Sequence, residues 1–542
     1  MYVLAIDLLT IPNRISVETE SGWRALSSHP SGTWNLDDIR VRTLSSSVGL
    51  TIGLASGATP VTTIKVRWET SISCDGLHIL GDHWERAYGD LEWRGIVPER
   101  VMPWYFLTFD GHIGCGYGVK TGASAFCYWE LDREGITLTL DVRSGNRGVV
   151  LEDRELLAAT VVTMEGKNGE TPFKVAQRFC ALMCDNPVLP TEPIYGGNNW
   201  YYAYGNSTHE KILRDSGFIA SLAPPEGHRP FMIIDDGWQA MSGGGACNGG
   251  PWEGNSGFPD MGRLAGEMKE IGVRPGLWCR PLLVSGDSPE IPDSWIRYRT
   301  AGGAILDPSL PEVLDYISDF IARMVGWGYE LLKHDFTTFD LFGLWGFEMK
   351  GNVNAIDVPF GDGSRTSAEI VGNLYRAIAA ASGRSVIIGC NTVSHLAAGC
   401  FEIQRTGDDT SGKSWERTRY MGINTMAFRM PQHGAFYSHD ADCIGITDRV
   451  SWKQNRQWLE LLAGSGTPLF VSADPDRVTE DQAEELRRAF RIASQPLPPG
   501  EPLDWLTTTC PAEWILNGEV KKFKWNEPMP DGRNEEDNHW WK

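Results

Sequence analysis

From about residue 190 the sequence alternates short apolar runs with amphipathic helical stretches, and this alternation constrains the fold most strongly. The apolar runs lie at 231–234, 275–278, 331–332, 386–389 and 469–471. Helical periodicity fills the intervals, as in 311–327 and 367–383. Strand-then-helix units indicate a parallel sheet with helices outside it. About eight strands fit between 190 and 475, which predicts a (β/α)8 barrel. A doubly wound sheet is the alternative, but no glycine-rich nucleotide motif follows any of these runs.

Two further regions flank this predicted barrel. In 136–142 apolar and polar residues alternate strictly, and 63–68 is similar, which indicates half-buried strands. We therefore predict an antiparallel β-sandwich over 1–187 and the catalytic barrel over 188–478. The remaining 479–542 should hold a terminal helix, a small C-terminal β module with a hairpin at Asn517-Gly518, and a mobile tail.

Charge and composition exclude several classes of partner. The 49 basic and 70 acidic residues give a net charge of −21, which argues against nucleic acid or an anionic membrane. No apolar run of about 18 residues and no signal peptide is present, so we expect a cytoplasmic protein.

The 11 cysteines form no CxxC pair and should be reduced thiols. The 22 tryptophans suit a protein that binds the flat faces of sugars, although packing of the protein's own core could also account for them. A homo-oligomer is possible.

Acidic residues cluster where the predicted strands end. They are Asp235 and Asp236, Asp335, Asp408 and Asp409, and Asp440 and Asp442. A single such Asp is commonly a helix N-cap, but this many on one rim of a barrel should converge on one pocket. A metal, a cationic substrate or hydroxyl groups could use them. Because the histidines lack metal-ligand spacing, we expect no metal and no cofactor, and a sugar fits best.

Two carboxylates on different strands of a sugar pocket are what glycoside hydrolysis requires. Lys333 lies two residues before Asp335, so both point to the same side of the strand. Its charge should keep Asp335 ionised with a lowered pKa, although a purely structural Lys–Asp pair is about as plausible. Arg405 lies near Asp409 and could bind substrate or orient that carboxylate.

Five motifs together resemble glycoside hydrolase family 36, which with its relative family 27 contains retaining α-galactosidases. They are Asn-Trp-Tyr-Tyr at 199–202, Ile-Asp-Asp-Gly-Trp at 234–238, Lys-His-Asp-Phe at 333–336, Arg-Thr-Gly-Asp-Asp-Thr at 405–410 and His-Asp-Ala-Asp-Cys at 439–443. They occur in that family's order. The predicted sandwich, barrel and C-terminal module also match its layout.

The resemblance implies a role for each matched position. Asp335 would be the nucleophile and Lys333 a substrate ligand. Asp409 would be the acid/base, protonated at rest, with Asp408 as the rival. The remaining implied substrate ligands are Asp235 and Asp236 on the sugar's 4- and 6-hydroxyls, Asp442, Arg405, and Trp200 and Trp278 lining the pocket. The substrate would be an α-galactoside, either a small molecule or an oligosaccharide.

One departure from the family pattern leaves the sugar open. Where relatives carry Gly-Cys-Gly-Ser or Cys-x-Trp, this chain has Asn391, near the position expected for the sugar's 2-substituent. The glycone could thus be galactose, N-acetylgalactosamine or β-L-arabinopyranose. The same residues would also suit a transglycosylase, a non-catalytic sugar-binding barrel or a metal-dependent hydrolase that uses the Asp cluster.

Overall fold

The computed structural model of the protein describes residues 7–72, 76–240, 248–285 and 290–526. The predicted tail lies outside these residues. The chain forms several antiparallel sheets and one curled parallel sheet covered by helices. The predicted α/β class with all-β parts is therefore confirmed.

Two antiparallel sheets form the N-terminal part. One has the strands Arg14–Thr19, Gly22–Ala25, Thr63–Glu69, Met102–Pro103, Phe126–Asp132 and Gly135–Asp141. The other has Ser27–His29, Thr33–Leu36, Ile39–Ser46, Gly49–Ser56, His78–Gly81, Tyr105–Phe109, Gly114–Val119 and Glu155–Glu165. Ile136 and Leu138 are buried, as their alternation with polar residues predicts. Phe106 and Trp129, one from each sheet, have ring centroids 5.7 Å apart, so apolar side chains fill the space between the sheets.

The curled parallel sheet has nine strand segments. They are β1 (Tyr195–Asn198), β2 (Phe231–Ile234), β3 (Arg274–Cys279), β4 (Leu331–His334), β5 (Val386–Gly389), β6 (Ile403–Arg405), β7 (Ser438–Asp440), β8 (Cys443–Ile446) and β9 (Leu469–Ala473). Their spatial order is β7-β6-β5-β4-β3-β2-β1-β9-β8. All pairs are parallel, so the carboxyl ends of the strands share one edge of the sheet.

One stretch of chain forms both ends of this sheet. The segment β7 pairs with β6, whereas β8 pairs with β9 on the other side. Only Ala441 and Asp442 separate them, and Asp442 has a φ of 77°. This left-handed conformation is strained for a residue other than glycine. The turn at these two residues connects β7 at one edge of the curled sheet directly to β8 at the other edge.

The helices lie mostly beside the parallel sheet, but the first of them packs on the N-terminal strands Gly114–Val119 and Glu155–Glu165. They are Pro172–Met183, Trp200–Ala203, His209–Leu222, Met261–Ile271, Pro311–Gly326, Thr337–Phe342, Gly346–Met349, Ser367–Ser382, Ser394–Ala397, Trp415–Arg417, Thr425–Arg429, Trp452–Gly464 and Glu480–Ala493, with a π-helix at Thr418–Asn424 and single 3₁₀ turns at Asp293–Trp295, Met430–Gln432 and Pro475–Arg477. Pro311 begins one helix, where its missing N–H costs nothing. Thr366 and Glu369 cap another reciprocally. These signals place the two predicted helices within one residue of their observed ends.

Two small antiparallel sheets complete the fold. Leu283–Val284, Ile296–Thr300 and Gly303–Leu306 form one, and Glu501–Pro502, Glu513–Leu516 and Glu519–Lys522 form the C-terminal one. Asn517 and Gly518 have φ values of 49° and 82°. These are the left-handed values that a two-residue hairpin turn requires, so the predicted hairpin is present.

The structure bears on two expectations, one about membrane-spanning helices and one about the cysteines. Within the described ranges no helix is both long and apolar enough to cross a membrane. The nine cysteines in these ranges are free thiols, mostly buried, as their irregular spacing predicts.

Candidate active site

A cavity of about 980 Å³ opens at the carboxyl ends of the parallel strands. The predicted site residues that border it are Trp200, Asp235, Asp236, Trp278, Lys333, Asp335, Asn391, Asp408 and Asp409. They come from segments that are far apart in sequence, and the shared edge of the sheet brings them together. Arg405 and Asp442, also predicted as ligands, do not border the cavity.

Lys333 forms its salt bridge with Asp235. Its Nζ lies 2.7 Å from Asp235 Oδ2, and both side chains are buried. Asn198 donates to the same oxygen at 2.7 Å. Burial alone would lower the pKa of Lys333, but the Asp235 carboxylate outweighs this and raises it well above the ordinary value. The alternative of a structural Lys333–Asp335 pair is thus wrong: Lys333 of β4 pairs with Asp235, which follows β2, across β3.

Asp335 is held by two N–H donors. The indole Nε1 of Trp278 donates to Oδ2 at 3.1 Å, and the backbone N–H of Phe336 donates to Oδ1 at 2.8 Å. Phe336 has a φ of 62°, which turns its N–H back toward the carboxylate. Both donors fix the orientation of the carboxylate at the cavity.

Asp408 and Asp409 differ in how their oxygens are occupied. Asp408 Oδ1 forms a salt bridge with Arg86 at 2.9 Å, and Oδ2 accepts from Arg417 at 2.8 Å. Asp409 accepts from Arg405 at 3.1 Å on Oδ1, and its side chain is 36% exposed. Its Oδ2 receives no hydrogen bond from the part of the chain that the structure describes. Of these two carboxylates, only Asp409 thus has an oxygen free of donors from the described residues.

The charges around Asp409 bear on the prediction that it holds a proton at rest. Burial raises its pKa, but the positive charges of Arg405, Lys333, Arg86 and Arg417 outweigh burial and lower the pKa below its ordinary value. These charges favour the ionised form of Asp409 in the unliganded protein, against the prediction that it holds a proton at rest. The sequence could not show it, because Arg86 and Lys333 reach this carboxylate only in the folded chain.

Asp442 lies behind the cavity, and protein donors occupy its carboxylate. Arg405 lies 2.7 Å from Oδ1, and Oδ2 accepts from the Thr410 backbone N–H at 2.6 Å, from its hydroxyl at 2.8 Å and from the Tyr201 hydroxyl. With these donors in place, Asp442 positions Arg405 and, through it, Asp409. The contact with sugar implied for Asp442 and Arg405 does not match this placement.

Asp236 borders the cavity and carries a perturbed pKa. Burial raises the pKa of Asp236 to about 6, and the neighbouring negative charge of Asp235 adds to this, against hydrogen bonds from Gln239 and Asn248. Gln239 Nε2 donates to Oδ1 at 2.7 Å. A partly buried carboxylate of this kind is stabilised when hydroxyl groups donate to it, which suits a sugar ligand.

Asn391 carries a side-chain amide without protein partners. Neither Oδ1 nor Nδ2 makes a hydrogen bond within the described ranges, although the residue is fully buried. Its backbone carbonyl accepts from the N–H and the hydroxyl of Thr338, both at 3.1 Å. The backbone is thus fixed while the amide is left unsatisfied at the edge of the cavity, an arrangement that costs free energy.

Sequence reasoning missed a second group of cavity residues. Arg86, Tyr88 and Asp90 come from the N-terminal region, and Trp345 and Phe347 follow β4. Trp84 and Trp104 are buried in the core, but the residues just after Trp84 reach the cavity. The aromatic and charged composition of 84–90 is the one available signal, and it carries no periodicity.

No protein-family model matches the chain. Its structure is similar to TtGalA, an α-galactosidase from Thermus thermophilus solved with p-nitrophenyl α-D-galactopyranoside, with a TM-score of 0.59, 16% identity, and coverage of 94% of this chain and 99% of that one.

Other α-galactosidases are similar too. AgaA of glycoside hydrolase family 36 from Geobacillus stearothermophilus, solved with raffinose, gives a TM-score of 0.58 at 14% identity, covering 93% of this chain and 79% of that one. An α-galactosidase from Lactobacillus brevis gives 0.55 at 11% identity, covering 88% and 72%. The resemblance to family 36 that the motifs predict is thus confirmed at the level of the fold.

Proposed function

We propose that the protein is a retaining α-galactosidase that releases terminal α-D-galactose by double displacement. The observation that carries the proposal is the convergence of Asp335 and Asp409 on one cavity. Lys333, Asp236 and two tryptophans border the same cavity, at the strand ends of an α-galactosidase-like fold. As part of this proposal the curled sheet is a closed (β/α)8 barrel, since β7 and β8 join its two ends. The proposal also keeps the domain bounds predicted from the sequence, with the β-sandwich ending at residue 187 and the barrel at residue 478.

Asp335 is the nucleophile in this proposal. The Trp278 and Phe336 N–H groups hold its carboxylate in one orientation. The nucleophile is therefore oriented before the substrate binds, which lowers the entropic cost of attack on the anomeric carbon. Attack forms a covalent glycosyl-enzyme and breaks the bond to the leaving-group oxygen. Lys333, neutralised by Asp235, contributes an N–H donor for a sugar hydroxyl rather than a direct partner for the nucleophile.

Asp409 is the acid/base, because Oδ2 is available while both oxygens of Asp408 are in ion pairs. It must take up a proton before it can give one to the leaving group. A bound glycoside would cover its exposed side chain and exclude water, which raises the pKa of a carboxyl group. Protonation therefore accompanies substrate binding. After the leaving group departs, Asp409 removes a proton from water, and water cleaves the glycosyl-enzyme.

The sugar contacts follow from the groups around Asp335. Asp236 accepts from hydroxyls, and Trp200 and Trp278 pack on the apolar face of the ring. Asp235 borders the same cavity as the counter-charge of Lys333. The unsatisfied amide of Asn391 supports a polar 2-substituent, either a hydroxyl or an acetamido group. N-acetylgalactosamine and β-L-arabinopyranose stay as alternative glycones.

A panel of aryl glycosides tests this function. The purified protein is incubated with p-nitrophenyl α-D-galactopyranoside, the α-N-acetylgalactosaminide and the β-L-arabinopyranoside, and the first-formed anomer is read by proton NMR. We expect the fastest release from the galactoside, with α-galactose formed first. Sugar binding without release would favour the non-catalytic barrel, and activity lost to a chelator would favour a metal-dependent hydrolase. Transfer to added alcohols measures transglycosylation.

A further inference from the structure

Asp408 lies between two arginines that come from distant parts of the chain. Arg86 follows the N-terminal strand His78–Gly81, and Arg417 is the last residue of the short helix Trp415–Arg417. Their guanidinium groups lie 2.9 Å and 2.8 Å from the two carboxylate oxygens of Asp408. Both arginine side chains are 8% exposed and that of Asp408 is 18% exposed. These three residues form the Asp408 cluster, in which two largely buried cations share one carboxylate.

Backbone contacts hold the Asp408 cluster in place. The Ala87 N–H donates to the Thr406 carbonyl at 2.8 Å, and the Ala87 carbonyl accepts from the Asp408 N–H at 3.2 Å. The guanidinium of Arg86 also lies 5.3 Å from the ring centroid of Trp345. Asp408 therefore cannot turn an oxygen toward a ligand without breaking one of its ion pairs.

Four cations around Asp409 each have a carboxylate partner. The two arginines of the Asp408 cluster are among the four cations whose charges lower the pKa of Asp409. The other two have partners of their own, since Asp442 lies 2.7 Å from Arg405 and Asp235 lies 2.7 Å from Lys333. Of these four cations, the two arginines of the cluster thus depend on a single carboxylate.

The other titratable groups beside these residues carry little charge or lie outside the cluster. Burial raises the pKa of two phenols, a thiol and a glutamate among them, which favours the neutral form of each. The groups are Tyr201, Tyr88, Cys390, Glu85 and the Asp335 carboxylate on the same cavity. The carboxylate that both arginines contact is that of Asp408.

The charge of Asp408 bears on the proton that Asp409 must take up. A positive charge nearby favours an ionised carboxylate, whereas a negative charge nearby favours the protonated form. Without the charge of Asp408, the two arginines would stand uncompensated beside Asp409, and the repulsion between the neighbouring carboxylates would also be lost. Both changes oppose protonation of Asp409.

We propose that Asp408 is a positioning residue for the acid/base, which holds Arg86 and Arg417 and offsets their charge so that Asp409 can be protonated. The inference rests on the proposed function and adds to it a role for the first carboxylate of the pair at 408 and 409. Asp408 transfers no proton itself, because both of its oxygens are in ion pairs.

The pH profiles of charge-changing variants test this role. The assay measures kcat/KM on methyl α-D-galactopyranoside, whose leaving group needs a proton from the acid, so activity falls as pH rises. In Asp408→Asn we expect this alkaline limb to move about one unit to lower pH. Arg417→Met should move it to higher pH. Each variant breaks an ion pair of the same cluster, so structural damage alone would not shift the limb in opposite directions.

Two comparisons separate the proposed role from a general effect on the protein. Asp132→Asn is the matched control: Asp132 lies 2.7 Å from Arg67 on the N-terminal sheet, and its loss should leave the limb in place. The second comparison uses α-galactosyl fluoride, whose fluoride leaves as an anion with little need for an acid. In Asp408→Asn its kcat/KM should stay within about threefold of wild type.

The role of Asp408 is overturned by a limb that stays in place or moves to higher pH in Asp408→Asn. Azide-dependent formation of α-galactosyl azide by that variant would also overturn it, because Asp408 would then be the acid/base. If thermal melts show that Asp408→Asn does not fold, the double variant Arg417→Met Asp408→Asn isolates the same charge. Its limb should lie below that of Arg417→Met, and an equal limb would again contradict the role.

Failure of the proposed function gives a different result. Wild-type protein that hydrolyses neither the methyl galactoside nor the fluoride would overturn that function, and the role of Asp408 with it.

Discussion

The ammonium group of Lys333 lies 2.7 Å from Asp235, 98 residues earlier in the chain, and not in a salt bridge with Asp335 two residues later. Both partners are buried. Removing one charge of a buried pair leaves the other uncompensated, which costs far more than losing an exposed pair. This relationship sets the first prediction.

Lys333→Met should lower the free energy of unfolding by about 3–5 kcal/mol, because it leaves the Asp235 carboxylate buried and unpaired. The double variant Lys333→Met Asp235→Asn should recover most of that loss. Lys120→Met is the control: Lys120 pairs with the exposed Asp185 at 2.6 Å and should cost less than about 1 kcal/mol. Urea unfolding midpoints measure all three, and equal costs for Lys333 and Lys120 would contradict the buried pair.

Trp278→Phe should lower kcat about 10- to 100-fold on an aryl α-galactoside, since it removes the N–H that donates to Asp335 and keeps an aromatic ring in place. The thermal midpoint serves as the control for folding. A kcat within about twofold of wild type would show that this hydrogen bond does not position the nucleophile.

Asp236→Asn should stabilise the protein at neutral pH and not in acid. The pKa of Asp236 is raised to about 6 in the folded chain from 3.8, so ionising it there penalises the folded state. That penalty is absent below pH 3.8 and complete above pH 6, and it amounts to about 1–3 kcal/mol. Thermal midpoints of wild type and variant at about pH 4 and pH 7.5 measure it, and a constant difference between the two would contradict the raised pKa.

Arg86→Met should move the alkaline limb of the pH profile of kcat/KM to higher pH. Arg86 is one of four cations that lower the pKa of Asp409, so its removal makes protonation of that carboxyl easier. The proposed acid acts in its protonated form, and its activity is therefore lost as pH rises through the pKa. If the limb stays in place or moves down, it reports a group other than Asp409.

Local sequence signals predicted much of the fold. The apolar runs at 231–234 and 386–389 are strands with those bounds, and the alternation in 136–142 marks the strand Gly135–Asp141. Periodicity and caps predict elements because they act within a few residues. The acidic residues after strands were found for the same reason, since the ends of parallel strands always meet at one edge.

The partners of those acidic residues could not be predicted. Asp235 forms its salt bridge with Lys333, which lies two strands away in the sheet. Tyr201 and Thr410 donate hydrogen bonds to Asp442 behind the cavity. Arg86 meets Asp408 across more than 300 residues of sequence. Such pairings depend on how whole layers pack, and no spacing along the chain encodes them.

The central claim is that Asp335 forms a covalent bond with the sugar, and azide rescue of Asp335→Gly tests it most directly. The variant is assayed on p-nitrophenyl α-D-galactopyranoside with and without azide, and products are identified by NMR. We predict that hydrolysis is lost, that azide restores release of p-nitrophenol, and that the product is β-galactosyl azide, because azide then attacks from the face that the carboxylate occupied. Wild-type turnover in Asp335→Gly without azide would contradict the account.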